Sequence, residues 1–263
     1  YHNEEKINKP MSFSIAITGK GGTGKTTAAG LIVASLLRRG LVPVLAVDAD
    51  PNACLDEVLG VKAVHTVGSV REEARDKSTR NELAGIAKKE WLELKIAESL
   101  VEADGFDLIA MGRPEGPGCY CYANNVLRDV LQAIADNYPY IVIDNEAGLE
   151  NLSRRIVQRV DLLVMVGDSS KRGLDTVERL FELAAEMKIE YGALAVVVNR
   201  LRNGVDPARL EALKTATGAD YLVTLPENDM LAEWAEEGKS LLSLPPSNDA
   251  AMHIDMFVND AVR

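Results

Sequence analysis

Four short runs in this chain carry residue types at spacings that could do chemistry. Gly19-Lys20-Gly21-Gly22-Thr23-Gly24-Lys25-Thr26 fits the phosphate-binding pattern G-x-x-x-x-G-K-[ST]. Its glycines let the backbone bend around a polyphosphate with its N–H groups turned inward. The helix that follows offers unpaired donors and the positive end of its dipole. Lys25 would neutralise the β- and γ-phosphates of ATP, or the β-phosphate of ADP, Thr26 would ligate Mg²⁺ through its hydroxyl, and Thr27 opens the helix behind them. Asp48-Ala49-Asp50-Pro51-Asn52 sets two carboxylates two residues apart at the end of an apolar run. Asp144-Asn145-Glu146-Ala147-Gly148 ends another such run with an acid and a turn glycine. Gly112-Arg113-Pro114-Glu115-Gly116-Pro117-Gly118-Cys119-Tyr120-Cys121 is a C-x-C pair in a Gly- and Pro-rich stretch. That spacing does not readily meet the geometry of an unstrained disulfide. Two thiolates are half of a tetrahedral or square-planar sulfur set, and a two-fold dimer axis would complete it with the same pair from each subunit.

These residues need elements to position them. Apolar runs at Phe13 to Thr18, Val42 to Val47, Leu108 to Met111, Tyr140 to Asp144, Leu162 to Val166, Ala193 to Asn199 and Ala219 to Thr224 read as strands. Helical patterns alternate with them near Thr26 to Arg39, Cys54 to Leu59, Lys89 to Leu100, Asn124 to Asn137, Glu150 to Val160, Gly173 to Met187, Pro207 to Thr217 and Met230 to Glu237. A last helix follows Pro245-Pro246, from about Asn248 to Val262. This alternation predicts an α/β fold, a mainly parallel sheet with helices on both faces. In such sheets ligands bind outside the carboxyl ends of the strands, which is where the phosphate loop and both acidic runs fall. Arg71 to Lys89 is charged at helical spacing with few apolar anchors and reads as a solvated helical excursion or mobile cover.

The chain has 263 residues, 47% hydrophobic and 26% charged, enough for a full core. One domain is expected over residues 11–263, with residues 1–10 a polar leader or expression-derived tail outside the fold. Lys+Arg 29 against Asp+Glu 40 gives a net charge of -11, which opposes non-specific binding to nucleic acid and to anionic lipid. Few cysteines, no apolar run of about 18 residues and no cleavable signal pattern point to a soluble, reducing, cytoplasmic setting. His2, His65 and His253 lie in no ligand-like spacing, and Cys54 reads as a small buried hydrophobe.

Lys20, just after the first glycine of the phosphate loop, is a second cation that the loop itself has little room to use. With it, the sequence resembles the deviant P-loop ATPases, typified by the nitrogenase iron protein, the Min and Par ATPases and the arsenite-pump ATPase. The resemblance implies that Lys20 reaches across a homodimer interface to the partner's nucleotide and, with Lys25 and Asp50, serves hydrolysis. It makes Gly19 to Thr27 the nucleotide cradle and gives Mg²⁺ to Thr26, Asp48 and Asp144. Asp50 then contacts the attacking water, and the N–H of Gly148 senses the γ-phosphate. Glu146 stands where related sequences often have proline. Asn199 and Arg200 would meet the adenine edge, with Pro226 and Glu227 in the loop closing over the base.

The G-R-P-E-G-P-G-C-Y-C run and the Asp48-to-Leu55 segment narrow the resemblance to CooC-type accessory ATPases of carbon monoxide dehydrogenase and their acetyl-CoA synthase relatives. It implies an ATP-dependent metallochaperone whose Cys119 and Cys121 bind Ni²⁺ or Zn²⁺ between two subunits, with carbon monoxide dehydrogenase or acetyl-CoA synthase as client. Two other readings of the wider family stay open. One is an electron-transfer ATPase holding an iron–sulfur cluster, like the nitrogenase iron protein. The other is a Min/Par positioning switch, which the acidic charge disfavours, as does a last helix whose Met252 to Arg263 carries one Arg against two Asp.

Overall fold

The computed structural model describes residues 12–52, 54–79, 88–112, 134–149, 159–202 and 205–262. Among them the strands are β1 (Phe13–Gly19), β2 (Val44–Ala49), β3 (Val101–Ala103), β4 (Phe106–Ala110), β5 (Tyr140–Asn145), β6 (Val160–Asp168), β7 (Tyr191–Leu201) and β8 (Tyr221–Pro226). The helices are α1 (Lys25–Arg38), α2 (Leu55–Leu59), α3 (Val67–Thr79), α4 (Lys88–Glu98), α5 (Lys171–Glu186), α6 (Pro207–Thr217), α7 (Asp229–Glu237) and α8 (Asp249–Ala261). The strands form one sheet in the order β3-β4-β2-β5-β1-β6-β7-β8, parallel except for β3 against β4. Helices cover both faces. The α/β architecture expected from the sequence is what forms.

Period-two alternation divides the core between the two faces. Ile15, Ile17, Val44, Ala46 and Val142 pack with α1, α2 and α8 on one side. On the other, Leu45, Val47, Ile109, Ile141 and Ile143 pack under α3 and α4, and Ala16, Leu163 and Met165 pack under α5 and α6. Helix α1 is apolar over most of its length, with every residue from Ala28 to Leu36 buried. It is the central helix of its layer, and it runs back from the loop that follows the central strand β1.

Two local expectations change. Val101–Ala103 forms a short antiparallel edge strand that the pattern did not announce, because three residues are too few to show a period. The run at Glu150 to Val160 ends differently, since Val160 already belongs to β6. Most of that run, and most of Asn124 to Asn137, lies outside the described residues; at its end Ala135–Asn137 is a 3₁₀ turn. Where its side chains are described, the Arg71-to-Lys89 region is exposed or half-buried helix, as its charge suggests, and the apolar anchors Val67, Val70, Trp91 and Ile96 lie on either side of it.

Candidate functional site

The site is built where β1 ends. A Cβ on Gly19 would lie 2.3 Å from the carbonyl oxygen of Val166, so only glycine lets β1 pass β6 into the loop. The loop then closes on itself, with the N–H and hydroxyl of Thr23 both donating to the Lys20 carbonyl, at 3.4 and 2.8 Å. Gly24 has φ 93°, in the left-handed region, and a Cβ there would meet the Asn199 amide nitrogen at 2.2 Å. Helix α1 starts at the next residue with no side-chain cap. Its first N–H groups are therefore left for an anion. Lys25 is nearly buried, at 7% exposure, whereas Lys20 stands exposed on the rim.

Beneath the loop lie two acids. Asp48 and Asp144 are register partners on the adjacent parallel strands β2 and β5, both on the α1 face by strand alternation. The Asp48 carboxylate accepts the N–H groups of Asp50 at 3.1 Å and Leu55 at 2.9 Å. Burial nevertheless pushes its pKa up to about 6, and the charge of Asp50 adds to the rise. Asp144 is pushed up to about 7, mainly by burial and also by Asp48, against the Thr26 hydroxyl bond and the charge of Lys25. Its Oδ1 is buried without a hydrogen-bond partner.

An orphaned carboxylate oxygen beside a hydroxyl and a second carboxylate is an all-oxygen donor set, which suits a hard cation such as Mg²⁺. Among the described residues no group of three or more His, Cys, Asp or Glu side chains could hold a metal alone.

Above the acids opens a cleft of about 440 Å³. Of the residues expected at the nucleotide, Gly21, Gly22, Gly24, Lys25, Thr26, Asp50 and Arg200 line it. Asn52, Glu146 and Ala147 line it too, without having been assigned there from sequence. Arg200 holds φ 52°, left-handed for a side chain that disfavours it. Its N–H donates to Asn199 Oδ1 at 2.9 Å and its carbonyl accepts the Ser169 hydroxyl at 2.8 Å.

Asn199, expected at the adenine edge, is nearly buried and donates to the Thr23 carbonyl at 2.9 Å. One N–H of its amide thus braces the phosphate loop from β7 and its Oδ1 accepts the Arg200 N–H, with one N–H hydrogen left for another acceptor. Pro226 ends β8. Glu227 donates its N–H to the Leu201 carbonyl at 3.1 Å and carries an exposed pairing with Arg202; neither residue lines the cleft.

The turn after β5 is tied to the loop's first residues. Gly148, at φ 93°, donates its N–H to the Gly19 carbonyl at 3.2 Å, and its own carbonyl accepts the Thr18 hydroxyl. Asn145 is a participant the sequence reading passed over. It is buried, faces away from Asp144 by alternation, and donates Nδ2 to the Ile17 carbonyl at 2.9 Å. That side-chain amide adds a second bond to a carbonyl of the β1–β5 ladder, while its own Oδ1 is buried without a hydrogen-bond partner. Its signal was an amide directly after the strand-ending acid. Asn145→Ala should cost no more than about 1 kcal/mol of stability, the net worth of one intramolecular hydrogen bond, read as a lower denaturant midpoint at unchanged slope.

Cys119 and Cys121 lie outside the described residues. Cys54 does not match its expectation: it is exposed, since it precedes α2 on the acidic turn rather than packing under it. Partial burial and the carboxylates around it raise its thiol pKa, which opposes the thiolate form. No helix among the described residues is long and apolar enough to cross a membrane.

An AAA domain family model matches residues 13–193. An uncharacterized ATP-binding protein of Methanocaldococcus jannaschii is 40% identical over 242 residues, covering 92% of this chain and 95% of that protein. The carbon monoxide dehydrogenase accessory protein CooC of Rhodospirillum rubrum is 30% identical over 243 residues, 89% of this chain and 90% of its own. Among solved structures, the septum site-determining protein MinD of Pyrococcus horikoshii, complexed with Mg-ADP, superposes with a TM-score of 0.70. It is 21% identical and covers 96% of this chain and 97% of its own, a likeness of fold.

Proposed function

From the premise that this chain belongs to the AAA domain family of MinD/ParA-like P-loop ATPases and hydrolyses ATP, we propose that its cycle serves metal-centre maturation, with Ni²⁺ or Zn²⁺ as cargo. Two copies would close over ATP, Lys20 of each reaching the other's phosphates. Cys119 and Cys121 of both would hold the ion, for delivery to carbon monoxide dehydrogenase or acetyl-CoA synthase. The 30% identity to a carbon monoxide dehydrogenase accessory protein supports this reading, as does the C-x-C run.

The observation that carries it is where that run leaves the fold. The Met111 N–H donates to the Asp48 carbonyl at 2.8 Å, and the Met111 carbonyl accepts the Gly68 N–H at 2.8 Å. The stretch beginning at Gly112 therefore starts one residue from a bond to the acid under the nucleotide. The Asp48 backbone and the residue before Gly112 are thus joined by one hydrogen bond.

Thr26, Asp48 and Asp144 would hold Mg²⁺, which when bound supplies charge neutralisation at the phosphates. The chain's own groups do the rest. The Gly21 to Lys25 backbone grips the phosphates, Lys25 offsets their charge, and the Gly148 turn answers to the γ-phosphate by exchanging its bond to Gly19 for one to substrate.

Metal content and oligomeric mass, measured without nucleotide, with ADP and with a non-hydrolysable ATP analogue, test it. One nickel or zinc per dimer in the ATP-analogue state is expected, with loss of that ion in Cys119→Ser/Cys121→Ser while nucleotide binding stays. Stoichiometric metal in the double variant would sink the site. A brown protein with iron and acid-labile sulfide would assign it to electron transfer instead.

A further inference from the structure

The edge of the sheet opposite β3 carries a second groove. β8 is the last strand in the order, and among the described residues it has a strand, β7, on one side only. Helix α8 runs beside it. Residues 221–224 of the strand and a helix face bearing His253, Met256, Phe257 and Asp260 enclose a groove of about 370 Å³, and none of them lines the phosphate cleft. We infer that this groove takes an extended segment of a protein partner, which adds as a strand beside β8, sets an apolar side chain into the groove and places Lys or Arg against Asp220 and Asp260.

An edge strand offers a row of N–H and C=O groups for pairing with another chain, and pockets beside it give specificity for alternate side chains. At β8 the helix supplies one substitute for a neighbouring strand: Nδ1 of His253 meets the Thr224 carbonyl at 2.5 Å. A carbonyl only accepts, so that nitrogen carries the hydrogen. Tyr221 and Phe257 pack edge to face, ring centroids 5.7 Å apart at 69°, and give the groove a fixed apolar floor. Met252 and Met256, one helical turn apart, stand 41% and 67% exposed. Their unbranched thioether side chains can settle against whatever apolar group arrives.

Charge selects the occupant. Asp220 is exposed and held in place by the Leu194 N–H at 2.8 Å. Asp260 is exposed too, and its carbonyl accepts the Tyr221 hydroxyl at 3.4 Å, so both acids flank the amino end of β8. A second copy of this chain is a poor occupant. Two β8 strands pairing about a two-fold axis run antiparallel, and a pairing centred on Tyr221–Pro226 sets Asp220 of each against Glu227 of the other. Like charges directly opposite are destabilising, and Arg202 beside Glu227 offsets only one of the two acids. A basic strand meets the same acids as complementary charge.

The probe is a short fluorescein-labelled peptide alternating Val and Lys, titrated into the full chain by anisotropy. Two further versions are N-methylated at the valines or at the lysines, and a fourth alternates Val and Glu. Saturable binding is expected for the first and none for the last. One of the two methylated versions should bind about tenfold more weakly, because one set of N–H groups faces β8. Asp260→Lys and Met256→Ser, both at exposed positions, should each weaken binding about three- to tenfold while ATP hydrolysis stays within about twofold of the parent. Absence of saturable binding overturns the inference. So do equal affinities for all three basic peptides, which would mean attraction by charge alone, and affinities unchanged in both variants, which would put the peptide elsewhere. Self-association without nucleotide that Met256→Ser abolishes would give the groove to a second copy and overturn it as well.

Discussion

Lys25→Met should lower ATP hydrolysis by at least about two to three orders of magnitude and weaken nucleotide binding, while the protein stays folded. Lys25 is the first residue of α1, is almost fully buried, and lines the phosphate cleft next to the buried Asp144. A preorganised cation in a site of low polarity is worth far more than the same charge in water, and phosphoryl transfer depends on such positioning and charge stabilisation. Methionine keeps most of the stem volume and removes the charge alone. Steady-state rates, a fluorescent-nucleotide titration and a denaturant curve check the three parts. A variant that hydrolyses ATP at the parent rate would remove Lys25 from the site. Lys20 gives the contrasting case, because it is exposed and its proposed target is on another subunit. Lys20→Met should lose activity without losing ADP affinity, and the parent's rate per subunit should rise with protein concentration where the variant's does not.

Most of the frame that positions Lys25 was legible because it rests on strong local signals. The strands at Ser14 to Ile17, Val44 to Val47 and Leu162 to Val166 are continuous apolar runs, as strands covered on both faces must be. The chemistry at their ends follows from direction alone, since parallel strands deliver their carboxyl ends to one edge. What escaped was whatever depends on partners distant in sequence. Asn199 braces Thr23 across 176 positions, and a strand-ending Asn carries no mark of which neighbour will claim its amide. Asn145 was hidden in the same way, its partner Ile17 lying on the adjacent strand. Trp91 and Ile96 were too sparsely spaced among charges to announce that α4 is anchored. Cys54 misled because a lone cysteine is buried more often than not, whereas here it stands exposed just before α2, close after the exposed Asn52.

Asp144→Asn is expected to abolish Mg²⁺-dependent hydrolysis and yet to stabilise the protein, increasingly so at higher pH. Burial pushes the Asp144 pKa up to about 7, whereas an unfolded aspartate titrates near 3.9. Between roughly pH 4 and 7 the native state therefore holds a proton the unfolded state has released. Stability then falls as pH rises through that window. Shifts of this size correspond to a few kcal/mol, about 1.4 for each pH unit crossed. An amide has no such titration and can still take the Thr26 hydroxyl as partner, so the variant's advantage should be negligible near pH 4 and largest at pH 8. Asp48, pushed up to about 6 by the same burial, contributes a smaller slope that remains in the variant. Mg²⁺ with ADP should show the reverse preference. It should raise the parent's melting temperature more at pH 8 than at pH 6, because at pH 6 a cation must displace the proton, and it should raise the variant's much less at either. Urea midpoints of parent and variant from pH 5 to 8 decide the matter. Curves that run parallel would mean that Asp144 is ionised in the native protein at every pH tested, and that Lys25 and Thr26 already stabilise its charge fully.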